Sequence, residues 1–333
     1  MSPTNTILLV KATAGLGNRL LALMPALAWA ERYQIPVCIH WMDGMYAPQG
    51  QCGFAPMFTL KNVEQIEFSA IESHLDVHPK VHAGRLDMHM FHLAKELDPK
   101  HRPNPPLNGK YGHRKLAIDL GKPPRPGVNV FTAYQDIWRG RRFVPRAFGI
   151  DLPKDRMSFL RWCFNRYLDV NQEIVGPITE YCARESSGMR SISVHFRNTD
   201  RAGKIGSHFR ALDRMLRNKE KETVIFLATD SEASIGQFQE RYGDAIRLLP
   251  KSFAEGGKAI HVASSESDKV QMAAEALKDV WLLRCGDELI YQGESTFGQI
   301  AQIMRSTPHR RVINVSQNRL GYIFRQVAWR ARC

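Results

Sequence analysis

The residues best placed to do chemistry follow a short strand-like run. Ser191 to Phe196 read Ser-Ile-Ser-Val-His-Phe, and the run stops on Arg197, Asn198, Thr199, Asp200 and Arg201. In an open α/β sheet, ligands sit just beyond the carboxyl ends of the strands. A guanidinium fixed there suits a phosphate-bearing substrate, because its planar fork matches phosphate oxygens. It serves equally as half of a structural ion pair, since perturbed charges mark structural networks as well as sites. His195 alternates with Val194 and Phe196 and so faces away from them. A lone strand histidine is more often a core residue, but its place two residues before Arg197 favours a role in the site.

Three further stretches carry polar groups at element ends. Gly15, Gly17 and Asn18 lie in Ala-Gly-Leu-Gly-Asn-Arg-Leu after the first strand. Glycines there let backbone N–H groups approach a phosphate at a helix N-terminus, and a plain tight turn has the same composition. The spacing is neither GxGxxG nor a P-loop. Phe226 to Ser231 end a strand in Thr-Asp-Ser, where Asp230 either caps the next helix or accepts bonds from a nucleotide's base or ribose. Ser295, Thr296 and Phe297 follow the strand at 287–292, and their hydroxyls and N–H groups can cap a helix or hold a phosphate. Asp279 lies in a helical segment among Leu277, Val280, Trp281 and Leu283.

The elements that position these residues alternate along the chain. Strand Thr6–Val10, the glycine loop, a helix through Tyr33 with Pro25 as a kink point, and strand Ile35–Trp41 form one unit. Seven of the 18 prolines fall in 99–127, which predicts an irregular surface insertion. Strand Val128–Tyr134 follows. A helical stretch from Asp155 to Arg184 then leads to strands at 191–196, 223–230, 245–250, 287–292 and 311–315. Helices are predicted near 208–218, 231–242, 267–283 and 296–305, with a last one from Asn318. Strands alternating with helices imply a doubly wound parallel sheet. The expected organisation is two Rossmann-like domains with a cleft between them: residues 1–165 on the acceptor side, residues 166–317 binding the nucleotide, and a terminal helix at 318–333.

The chain has 333 residues, 46 Lys and Arg against 33 Asp and Glu, and a formal charge of +13. That balance fits nucleic acid, an anionic membrane surface or an acidic small substrate. No RNP-like motif or zinc finger supports nucleic acid. Basic clusters at Arg139–Arg146 and His309–Arg311 would allow peripheral membrane contact; the arginine- and aromatic-rich end of the chain could add to it, but reads first as a packed terminal helix. The six cysteines show no CxxC pair or metal spacing and read as reduced thiols. His74, His78 and His82 are spaced by four, but Pro79 interrupts any helix that would align them on a metal. The opening apolar run is shorter than the roughly 7–15 residues of a signal core, so the expected location is the cytoplasm or the inner face of the membrane.

The Gly-Leu-Gly-Asn-Arg-Leu loop, Val194–Arg201, Phe226–Ser231 and Glu294–Met304 occur in this order, and the set resembles the fucosyltransferase superfamily. That superfamily includes bacterial nodulation fucosyltransferases and the α1,6- and protein O-fucosyltransferases. The resemblance implies a GT-B architecture, GDP-fucose as donor, GDP as product, inversion at the anomeric carbon, and no required cofactor or metal. It implies a glycan, glycolipid or protein acceptor. By resemblance Arg197 contacts the β-phosphate with His195 nearby, and Asp230 and Asp279 contact the nucleoside. Ser295, Thr296 and Phe297 line the phosphate and ribose, and Asn18 matches the loop asparagine. Asp200 and Arg201 complete the catalytic candidates. The α1,6-enzymes carry a glutamate shortly after the matching arginine and lysine. Here Arg201 replaces the lysine, and Ala202 to Gly206 hold no acid, so the base is unassigned, with Asp200, Asp136 and Asp43 as candidates. The rival readings are a GT-B transferase using another nucleotide sugar, a glycan-binding protein without catalysis, and a basic nucleic-acid-binding protein.

Overall fold

The structure is a computed structural model that describes residues 6–97, 116–133, 155–198, 205–217, 221–250, 269–293 and 295–315. Within these residues the chain divides into two compact units, one of residues 6–44 and 49–169 and the other of 45–48 and 170–315. Asp136, Asp200, Arg201, Glu294, the 99–115 part of the proline-rich stretch, the cluster Arg139–Arg146 and the stretch 318–333 lie outside the described residues.

In the first unit β1 (Thr6–Ala12) leads through the glycine loop into α1 (Leu16–Tyr33), then β2 (Val37–Ile39), β3 (Phe58–Leu60), β4 (Val77–His78), α2 (Met90–Leu97), β5 (Gly127–Ala133) and α3 (Arg156–Tyr167). The sheet is parallel, in the order β2-β1-β5-β4. Pro25 does not end α1. That helix is buried from Leu16 to Ala30 apart from Asn18, and burial on all sides supports a helix that propensity alone would break. The strand expected at Ile35–Trp41 contracts to three residues; at its start Pro36 has no N–H to pair. The described end of the proline-rich stretch is irregular, with Lys122, Pro123, Arg125 and Pro126 exposed as expected, but Leu116, Ala117 and Leu120 just before them are buried, and Leu116 packs on Leu93 and Ala94.

A single helical stretch from Asp155 to Arg184 is not what forms. β6 (Leu168–Val170) divides it and pairs with β3. Leu168 and Val170 are buried with Asp169 exposed between them, the two-residue period of a strand. Asn171 then starts α4 (Gln172–Glu185) by accepting a bond from the Glu173 N–H.

The second unit continues with β7 (Arg190–Phe196), α5 (Ile205–Leu216), β8 (Thr223–Thr229), α6 (Glu232–Tyr242), β9 (Ile246–Arg247), α7 (Lys269–Cys285), β10 (Glu288–Tyr291), α8 (Thr296–Met304) and β11 (Arg311–Asn314). Its five strands are parallel in the order β11-β10-β7-β8-β9. Counted from β7, that is the 3-2-1-4-5 order of a doubly wound nucleotide-binding sheet. The core joins Ile192, Val194 and Phe196 to Leu212, Ile225, Leu227, Phe238 and Ile290. Among the described residues no helix is long and apolar enough to cross a membrane.

Candidate donor site

In a sheet of this order the crevice opens where the strand order reverses, outside the carboxyl ends of the two strands flanking that point. Here those strands are β7 and β10. Arg197 follows β7, and its backbone N–H donates to Gln292 Oε1 at 2.9 Å, one residue beyond β10. From the other side, Asp230 after β8 accepts the Asn198 N–H at 2.8 Å, and its second oxygen lies 3.8 Å from Arg197 Nε. Both Arg197 and Asp230 side chains keep about a quarter of their surface exposed, at 25% and 24%. The residue is therefore tied by its backbone to Gln292, while its guanidinium faces Asp230 and stays partly open to a ligand.

Asp230 does not cap the helix after it. Ser231 occupies the cap position of α6 without a side-chain cap bond, and the Ser231 N–H is instead taken by Thr229 Oγ1 at 3.3 Å. Asp230 is spent on the Arg197–Asn198 corner. Ser295, by contrast, does cap: its Oγ accepts the Phe297 N–H at the start of α8. Ser295 and Thr296 are both buried. The Phe297 ring stacks on His195, with centroids 5.7 Å apart and planes 20° from parallel. The His195 carbonyl is held by His208 Nε2 at 3.1 Å. Arg197, His195, Asp230, Ser295, Thr296 and Phe297 thus all lie at the carboxyl edge of one sheet. Asp279 sits half-buried on α7, which packs on β7, β8 and α8.

The glycine loop belongs to the first unit, at the carboxyl end of β1. Its left-handed residue is Ala14, at φ 67°, rather than either glycine. Gly15 is the extended cap of α1, and Gly17 is buried in its first turn. The Asn18 side-chain carbonyl oxygen is buried and has no hydrogen-bond partner in the structure, which suits a ligand contact.

Three residues of these edges were not singled out from sequence. Gln292 holds the Arg197 backbone. Arg19, fully buried in α1, donates from Nε to the Ala14 carbonyl and from Nη2 to Asp43 at 2.6 Å, with its guanidinium over Trp41. Lys11, buried at the end of β1, donates to the carbonyls of Leu86 and Met88, and burial lowers its pKa to about 8. A cation inside an apolar stretch was the available signal in both cases. Asp43 also faces His89 Nε2 at 3.5 Å. Burial alone would raise its pKa, but His89 and Arg19 override this and hold the carboxyl well below the ordinary range. A carboxylate so committed is a weak proton acceptor, which argues for Asp43 as the anchor of Arg19 rather than the base.

Among the described residues no group of three His, Cys, Asp or Glu side chains could hold a metal ion. His78 lies in β4 and His82 in a 3-10 turn, so no helix aligns them with His74. Cys38, Cys52, Cys163, Cys182 and Cys285 are free thiols.

No protein-family model matches the chain, and no curated protein sequence matches it. Solved structures do. NodZ α-1,6-fucosyltransferase soaked with GDP-fucose is 18% identical, with 90% of this chain and 92% of that one covered and a TM-score of 0.58. Fucosyltransferase NodZ from Bradyrhizobium is 18% identical over 91% and 94% of the two chains, with a TM-score of 0.58. A mutant of Arabidopsis thaliana FUT1 in complex with GDP is 12% identical over 90% and 68%, with a TM-score of 0.53. The chain has the α/β fold of the GT-B fucosyltransferases.

Proposed function

We propose that this chain is an inverting glycosyltransferase that transfers L-fucose from GDP-fucose to a glycan or protein acceptor. The observation that carries the reading is the anchoring of Arg197 at the β7/β10 switch point by Gln292 and Asp230. As the bond from the sugar's C1 to the diphosphate stretches, negative charge grows on the leaving phosphate. A preorganised guanidinium stabilises that charge without rearranging at the moment of reaction. The first N–H groups of α8 point along a helix dipole that favours the same anion. The His195–Phe297 stack offers a flat, rigid wall for the nucleoside. The acceptor's proton must leave as the new C1–O bond forms; Asp200 and Asp136 are the candidates for that step.

Thermal shift with GDP, UDP and ADP tests the donor class. GDP should stabilise most, and a preference for UDP would remove the fucose reading. Arg197→Ala should lower transfer on the order of 10²–10³-fold, by comparison with oxyanion donors, while the melting temperature without ligand stays unchanged. Undiminished turnover would take Arg197 out of the mechanism, and donor cleavage by the wild type would exclude a binding-only protein.

A further inference from the structure

The amino edge of the second sheet holds a cavity of about 320 Å³ lined by Met189, Arg190, Arg214, Met215, Lys221, Asp287, Glu288, Arg310 and Arg311. Arg190, Glu288 and Arg311 are the first residues of β7, β10 and β11. Arg197 lies at the other end of β7, about 20 Å away at the rise of a strand. The cavity is therefore distinct from the donor site.

Its charge is lopsided, with five cations against two carboxylates. Both carboxylates are already engaged. Glu288, 4% exposed, takes Arg190 Nη2 at 2.7 Å and the guanidinium of Arg310. Asp287 accepts from Ser191 Oγ at 2.9 Å and faces Arg305 at 3.7 Å. Arg190 is fixed further by donating to the Met215 carbonyl at 2.7 Å. Among the described residues no carboxylate pairs with Arg214, Lys221 or Arg311, and all three side chains are exposed at the rim. With both carboxylates engaged, an anion entering the cavity meets an excess of positive charge. A hollow of this volume is of ligand size.

We propose that this cavity is a second, anionic-ligand site that takes a phosphate-bearing group, with Arg214, Lys221 and Arg311 as its charged contacts and the Arg190–Glu288–Arg310 bridge as its floor. The phosphate could arrive free in solution or as the headgroup of an anionic lipid. Exposed Val312 beside Arg311 would meet the acyl region in the second case only.

Two arms separate the sources. Titration calorimetry with inorganic pyrophosphate tests free phosphate, and co-sedimentation with phosphatidylglycerol vesicles, against phosphatidylcholine alone, tests the headgroup. Saturable binding in either arm is expected, weakened at least about tenfold in the pair Lys221→Glu with Arg311→Glu, since each charge-assisted contact supplies roughly that factor. GDP affinity should be unchanged in that variant, which separates this result from the fate of the donor reading. Should that variant fold poorly, Arg214→Glu with Lys221→Glu replaces it. Absence of binding in both arms, or binding that charge reversal leaves intact, overturns the proposal.

Discussion

Arg19 has no exposed surface, and Asp43 is its anchoring carboxylate. Removing one member of such a pair leaves a buried charge uncompensated, at about 3–5 kcal/mol. Asp43→Ala should therefore destabilise the first unit by that order in urea melts, whereas Arg19→Met with Asp43→Ala together should cost less. A loss below about 1 kcal/mol for the single variant would mean that Arg19 finds water or another acceptor. At this scale the sequence was legible where the chemistry is local. A strand ending on Arg197, or on Thr229-Asp230, announces its position by itself. Gln292 was hidden, because its bond to Arg197 joins positions 95 apart in the chain. Arg19 stood in view inside the glycine-loop motif, but only the fold shows it turned inward onto Asp43. The cap reading of Asp230 failed for the same reason: the competing partner, the Asn198 N–H, comes from another strand.

At the scale of elements, α8 lies directly against β10, and Gly298 makes this approach possible. A Cβ on Gly298 would fall 2.4 Å from Cδ2 of Tyr291, inside any tolerable contact. Gly298→Ala should cost about 1–3 kcal/mol by overpacking. At about 2–4 °C per kcal/mol for a unit of this size, that is a drop of several degrees in the melt. Adding Tyr291→Ala should recover part of it, since residues in contact couple. An unchanged melt would show that the helix shifts freely, and with it the Ser295–Phe297 turn that it carries. The alternation of strand and helix gave nearly every element of the second unit before its geometry was known. The sequence misled where tertiary pairing decides: β6 breaks a stretch of helical pattern because β3 supplies a partner, and β9 keeps only the two residues that β8 can pair.

Across the whole molecule, the first unit concentrates buried bases whose charge the fold disfavours. Burial lowers His40 to about 4, with help from the Lys11 charge, and lowers His82 to about 4. His82 donates from Nε2 to the Leu116 carbonyl, while its Nδ1 is buried without a partner, so a second ring proton would have no acceptor. The unfolded chain binds these protons near pH 6.5 and the folded chain only near pH 4. Stability is therefore complete above about pH 6.5 and is lost as pH falls toward 4, by on the order of 3 kcal/mol per histidine over the window. Lys11 acts with the same sign at the other end, so stability rises from pH 8 toward 10.5. Glu31 of the first unit and Glu288 of the second, both lowered by arginines that outweigh burial, begin to lose their contribution only at the acid end of the histidine window, where carboxylates start to protonate in the unfolded chain. Thermal melts stepped from pH 7.5 to 4.5 should show a transition that moves down first in the unit containing His40 and His82. His82→Gln, which keeps a donor for the Leu116 carbonyl without the titration, should flatten part of that slope. A melt independent of pH between 7.5 and 5 would mean that both rings take up protons in place, and that the unit tolerates charge at its centre.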